Sequence, residues 1–165
     1  MKQELLVGYT DYDVGGDLVG KRSTSGVSFY ANDSLVTYNS HKEKTVALSS
    51  CEVEFMAVTA AAKLALWLRN LLGELTRTHL KAVSLMVDNN SGIALMKNLV
   101  FRGRSKHIDI KFHFIRECVE RGQIVVKRVG TLEQKADALT KPLAAIKLAV
   151  MIHFCGAREL GEPQA

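Results

Sequence analysis

Two acids stand where apolar strands would be expected to carry none. In AVSLMVDNNSGIALM, Ala82 to Met96, an apolar run stops at Asp88, and in LLVGYTDYDV, Leu5 to Val14, strand alternation sets Asp11 in line with Leu5, Val7 and Tyr9. Such a carboxylate has two readings. Asp commonly ends a strand and caps the next helix, a use that also suits Asn89, Asn90 and Ser91. The other reading is that the acids are ligands. Several carboxylates with no His or Cys partners suit hard, oxygen-preferring cations, Mg²⁺ or Mn²⁺ above Zn²⁺. Two such ions held a few ångströms apart can activate a water and stabilise the leaving oxygen of a phosphodiester. Cys51, Cys118 and Cys155 are far apart and lack the paired spacing of zinc or redox motifs, so free thiols are expected.

These acids need elements to hold them. The alternation from Leu5 to Val14 predicts a first strand; a turn-rich connection follows, and then VSFYA and LVTYNS read as two short strands joined by NDS, a hairpin by composition. Ser49 to Leu75 is rich in Ala and Leu, and Val53, Ala57, Ala60, Leu64, Trp67, Leu68 and Leu71 recur at helical spacing, which predicts the principal core helix. After the strand that ends at Asp88, a short helix is expected from about Ser91 to Asn98. Ile108, Phe112, Ile115 and Val119 define a second amphipathic helix ending near Gly122, and QIVVKRV is a last strand. Thr131 and Gln134 match a capping box that would start a helix at Leu132 with Asp137 in its second turn, and Pro142 would kink or restart that segment. This order predicts an α/β fold: a five-stranded mixed sheet, its first three strands antiparallel, flanked by helices on both faces. In such sheets the functional crevice lies outside strand ends where the connection order changes, and Asp11 and Asp88 can meet there.

Composition bounds the rest. At 165 residues, with 47% hydrophobic and 24% charged residues, the chain suits one globular domain over residues 1–165 rather than a disordered or membrane protein. No apolar run is expected to reach a membrane span, and the N-terminal MKQELLVGYTDYD does not read as a secretory signal, so an intracellular, cytoplasmic setting is expected. The formal charge of +5 points to an anionic partner, though weakly without clustering.

Five blocks in order, GYTDYDVGGDLVGKRSTSG, ALSSCEVEFMAV, VDNNSGIALMKN, RSKHIDIKFHFIRE and QKADALTKPL, together resemble the ribonuclease H domain that closes the polyprotein of copia-type LTR retrotransposons. The resemblance covers nearly the whole chain. It implies a ribonuclease H-like fold and a four-acid metal site, carried over to Asp11 in YTD, Glu54 in EFMA, Asp88 in VDNN and Asp137 in KADALT. It also implies two Mg²⁺ ions, with Mn²⁺ as a substitute, bridged by Asp11. The implied activity is hydrolysis of the RNA strand of RNA/DNA hybrids during reverse transcription, leaving a 5′-phosphate and a 3′-hydroxyl. An adjoining reverse-transcriptase domain in the parent polyprotein is the implied partner, with no membrane, and a virus-like particle the implied setting if the element is active. Two departures stand out. The loop VGTLEQKAD lacks the His that many ribonucleases H carry before the last acid, with His107 or His113 as possible stand-ins, and Tyr38, His41 and Glu43 occupy positions where related elements usually have Trp, Lys and Gln.

Other residues carry weaker signals. Arg104, Lys106 and His107 form the densest basic patch, either an exposed helix face or a hold on nucleic-acid phosphates. Asn89, Asn90 and Ser91 either cap a helix or reach the minor groove and its 2′-hydroxyls. Asp13, Asp17 and Asp109 are expected on solvated surfaces, and Tyr9, Phe29, Tyr30 and Trp67 in the core. Against the nuclease stands a host-retained, non-catalytic nucleic-acid-binding or interaction module of the same fold. Its mark would be a lost acid, and all four are present.

Overall fold

In the computed structural model of the chain, residues 4–14, 22–43, 50–88, 93 and 106–154 are described. They build a five-stranded sheet from β1 (Leu6–Asp13), β2 (Thr24–Ala31), β3 (Ser34–Lys42), β4 (Val83–Val87) and β5 (Ile124–Arg128), in the order β3-β2-β1-β4-β5. β1 pairs antiparallel with β2, and β2 with β3, whereas β4 runs parallel to β1 and to β5. The mixed sheet expected from the sequence is the one observed. The β2–β3 turn falls on Asn32 and Asp33, whose φ values of 47° and 64° give the left-handed pair that a two-residue hairpin turn requires.

One face of the sheet carries α1 (Ser50–Thr76) and α2 (Lys106–Glu120). Alanines make this contact close: Ala61, Ala62 and Ala65 are fully buried against Phe29 and Leu85. Gly8 continues the fit, because a Cβ there would lie 2.4 Å from the Phe29 ring and 2.8 Å from Leu85. By length and composition Val53–Thr76 could cross a membrane, contrary to the expectation that no segment would; its apolarity here serves the sheet-facing stripe. Trp67 lies outside that stripe and is 59% exposed, so it is not the core residue its spacing suggested. In α2, Phe112 and Ile115 are buried as expected, but Cys118 takes the third core position while Val119 faces solvent. Gly122, with φ of 62°, ends the helix.

The other face differs from expectation. No helix starts at Leu132; residues 131–133 and 135–136 are turns, a single 3₁₀ turn spans Asp137–Leu139, and α3 (Ala145–Phe154) begins anew after Pro142. Gln134 explains the difference. Its side chain is fully buried, donates from Nε2 to the Thr10 carbonyl at 3.0 Å and accepts from the Ala136 N–H at 3.2 Å, so it anchors a loop to β1 rather than capping a helix. The Thr10 carbonyl lies just beyond the β1–β4 pairing, which ends at Tyr9. The short helix expected from Ser91 to Asn98 lies outside the described residues except at Ile93, which is helical.

Candidate active site

β1 is the pivot of the sheet, with an antiparallel neighbour on one side and a parallel one on the other. Its register with β4 covers only Val7 to Tyr9, so the strands part just before Asp11, and Asp88 follows the last residue of β4. The crevice expected at a change of strand direction therefore opens between these two acids.

Asp137 is brought there by residues 134–141, which lie across β1, β2 and β3. Gln134 fixes the segment to β1. Lys135 places its ammonium 3.9 Å from the centre of the Tyr30 ring and 5.3 Å from that of Tyr9. Ser40 of β3 donates to the Leu139 carbonyl at 2.6 Å. Gly26, opposite Asp11 in the β1–β2 register, leaves room for the turn: a Cβ there would stand 2.8 Å from Leu139 Cβ and from Thr140 Cγ2, and 3.2 Å from the Ala136 carbonyl oxygen. The result is two buried carboxylates side by side, Asp11 at 2% exposure and Asp137 at 0%.

Cationic and polar partners hold them. The Thr140 hydroxyl donates to Asp11 Oδ2, and Lys141 Nζ lies 3.4 Å from Asp11 Oδ2 and 2.8 Å from Asp137 Oδ1. Lys147 of α3 reaches the other oxygen of Asp137, Oδ2. Burial pushes the Asp11 carboxyl up to about 6, with the charges of Asp137 and Asp88 adding to the rise and Thr140 and Lys141 opposing it. Burial acts on Asp137 in the same sense, but the hydrogen bonds and charges of Lys141 and Lys147 outweigh it and hold that carboxyl below its ordinary value. Lys141 is itself pushed up: the two acids overcome its desolvation.

Of the four expected acids, Asp11 and Asp137 are in shared contact with Lys141, and Asp88, half-buried, is near enough for its charge to act on Asp11. Glu54 is 5% exposed in the second turn of α1. Among the described residues no three His, Cys, Asp or Glu side chains converge as a ready-made metal cage. The donor set nevertheless fits a hard divalent cation: it is all carboxylate oxygen, and Asp11, Glu54 and Asp137 are buried. Asn89, Asn90, Ser91 and Arg104 lie outside the described residues; Lys106 and His107 form the first turn of α2. His113 is exposed on α2 with its ring 6.0 Å from Phe112. Glu43 accepts a hydrogen bond from Ser25 Oγ at 2.8 Å, and Tyr38 is 65% exposed. Cys118 is a buried free thiol. Sequence reasoning did not single out Gly26, Thr140, Lys141 or Lys147, and it gave Gln134 a different role, that of a helix cap. Only Lys141 carried a local signal, one helical turn after Asp137.

No protein-family model matches the chain. The chain is 39% identical over 152 residues to the retrovirus-related Pol polyprotein from transposon TNT 1-94 of Nicotiana tabacum, over 92% of this chain and 11% of that protein. It thus spans about a tenth of the length of that relative. Among solved structures, LC11-RNase H1 isolated from compost superposes with a TM-score of 0.62 at 17% identity, covering 84% of this chain and 94% of that one. The foamy viral protease-reverse transcriptase, solved in complex with an RNA/DNA hybrid, gives a TM-score of 0.58 at 15% identity over 82% of this chain and 19% of that one. At these identities the structural likeness is one of fold.

Proposed function

The chain is a ribonuclease H-fold domain homologous to a segment of copia-type retrotransposon Pol polyproteins, and from that premise we propose that it is a metal-dependent endoribonuclease that hydrolyses the RNA strand of RNA/DNA hybrids during reverse transcription. The observation that carries this reading is the burial of Asp11 beside Asp137, within range of the Asp88 charge, where Asp11 is pushed to about 6. Burial, with the Asp137 and Asp88 charges adding to it, penalises the Asp11 carboxylate in the fold, and a bound cation would relieve that penalty.

In this reading Asp11, Glu54, Asp88 and Asp137 hold two Mg²⁺ ions, which Mn²⁺ can replace. When bound, the ions supply an activated water and neutralise the charge developing on the scissile phosphate. The chain's own groups prepare that site. Thr140 fixes the rotamer of Asp11 through Oδ2, Gln134 and Gly26 set the height of the 137–140 turn over β1 and β2, and Asp88, at the end of β4, adds its charge to the crevice. Lys106, His107 and Arg104 take substrate phosphates, while Asn89, Asn90 and Ser91 read the 2′-hydroxyls that distinguish RNA. The product carries a 5′-phosphate and leaves a 3′-hydroxyl. The domain works beside a reverse transcriptase in the parent polyprotein, a reading supported by the Pol relative and by the hybrid complex of the foamy viral enzyme.

The test is direct. Labelled RNA/DNA, RNA/RNA and DNA/DNA duplexes are incubated with the protein in Mg²⁺ or Mn²⁺, with and without chelator. Cleavage confined to the RNA of the hybrid and abolished by chelator is expected; equal cleavage of hybrid and DNA duplex would sink the proposal.

A further inference from the structure

We infer that Lys147 is an exchangeable counter-ion of the acid cluster, which holds Asp137 until a divalent cation displaces it, so that α3 is tied to the state of the site. The inference rests on the metal-site reading above and concerns a residue that reading does not use. Asp137 is fully buried, yet each of its oxygens faces an ammonium, Oδ1 that of Lys141 and Oδ2 that of Lys147. The two lysines differ in origin. Lys141 belongs to the anchored 134–141 segment and also reaches Asp11, so it is held by both acids. Lys147 comes from a separate helix.

The described apolar side chains of that helix are mostly exposed. Among the described side chains of α3, Met151 is buried and Lys147 half-buried, whereas Ile146 is 84% exposed and Leu148, Val150 and Ile152 between 42% and 45%. Lys147 and Met151 are four residues apart and share one face. Lys147 and Met151 thus form the buried stripe among the described side chains of α3, and one of the two is the ion pair to a carboxylate that a cation also seeks. A divalent ion at Asp137 and the Lys147 ammonium compete for Oδ2. Binding of the ion frees Lys147 and weakens the hold on α3.

The prediction is read on metal affinity rather than on turnover. Mn²⁺ binding to the whole protein is measured calorimetrically at pH 8, where protons no longer compete for Asp11, for the wild type, Lys147→Met, Lys147→Arg and Asp11→Asn. Lys147→Met keeps the apolar stem and removes the competitor; its Kd for Mn²⁺ is expected to fall about fivefold, a typical effect of deleting one nearby charge. Its metal-free melting temperature should drop and recover when Mn²⁺ is added. Lys147→Arg keeps the charge and should bind Mn²⁺ near the wild-type affinity, which also serves if the methionine variant does not fold. A purely structural lysine would lower the melting temperature without tightening the metal. Wild-type binding that depends on Asp11, together with unchanged or weaker binding in Lys147→Met, overturns this inference and leaves the nuclease reading intact. No Asp11-dependent Mn²⁺ binding in the wild type overturns both.

Discussion

At the scale of single residues, the site is a contest between burial and charge, and Asp11 is where it is sharpest. Its folded carboxyl titrates near 6, above the ordinary value of 3.8, so between those values the folded state binds a proton that the unfolded chain has already released. The sign follows: the protonated form contributes stability below about pH 4, and that contribution is lost as pH rises through 6. In metal-free buffer, unfolding by urea should therefore show a decline on the order of 2 kcal/mol from this group across the window, by the usual linkage of a proton to folding. Asp137 acts in the opposite sense, since its lowered carboxyl stabilises the fold above its unfolded value and loses that effect only in acid. Asp11→Asn carries no titrating group and keeps an acceptor for Thr140. It should abolish cleavage, flatten the decline between pH 4 and 6, and be at least as stable as the wild type at pH 7 without metal. A marked loss of stability in that variant at pH 7 would mark Asp11 as a structural acid. The lysines that balance these acids show what single positions in a sequence conceal. Lys141 stands one turn from Asp137 and was open to inference, whereas Lys147, ten residues on and across Pro142, meets Asp137 only through the tertiary path of the chain.

At the scale of elements, regular periodicity was legible and long-range anchoring was not. β1, the hairpin, α1, β4, α2 and β5 all emerge within a few residues of where alternation, a continuous apolar run or helical spacing places them, because burial on one face or on both leaves a local pattern in the sequence. The 131–141 segment was misread because Thr131 and Gln134 satisfy a local capping pattern, while Gln134 is in fact engaged with Thr10, 124 residues away. Trp67 is a second miss: helical spacing assigns it to the apolar face, yet it lies outside the buried stripe and is 59% exposed. The 137–140 turn also depends on a glycine whose role no single element reveals. Gly26→Ala would drive a Cβ against Leu139, Thr140 and the Ala136 carbonyl, and the backbone cannot yield as a flexible side chain can. The turn should rise off β2 and carry Asp137 away from Asp11. We expect a cost of about 1–3 kcal/mol, the scale of overpacking, together with a loss of Mn²⁺ affinity that exceeds what the stability change explains. Thermal unfolding and calorimetric binding on the same sample check this; a destabilised protein with unchanged metal affinity would mean that the turn does not position the site.

At the scale of the whole molecule, charge and strand direction act together. The crevice lies at the ends of β1 and β4, so on the proposed function the surface around it meets a substrate bearing one negative charge per phosphate, while the chain as a whole carries +5 and has a pI near 9.2. Several of its cations are paired. Lys141 and Lys147 face Asp137, Arg116 and Arg121 pair with glutamates one turn away on α2 or just after it, and Lys127 pairs with Glu4. Each of these pairs uses an acid as well as a cation and leaves the excess at +5, and with so modest an excess the isolated domain should bind hybrid weakly. It should also bind with a salt dependence set by a small number of contacts. Each neutralised phosphate releases counterions, so log K against log salt is expected to fall linearly, with a slope of about −3 to −5 for some four or five contacts on a duplex. The measurement is made in Ca²⁺, which occupies oxygen sites without the strict geometry that Mg²⁺ requires, so that hybrid is held while cleavage is slowed. Reversing the charge of Lys106 should reduce the slope by about one, because a phosphate contact contributes to affinity whatever the base sequence. A slope near zero, or one that Lys106→Glu leaves unchanged, would show that the hybrid is held by shape and base contacts and that the start of α2 is a solvated helix end.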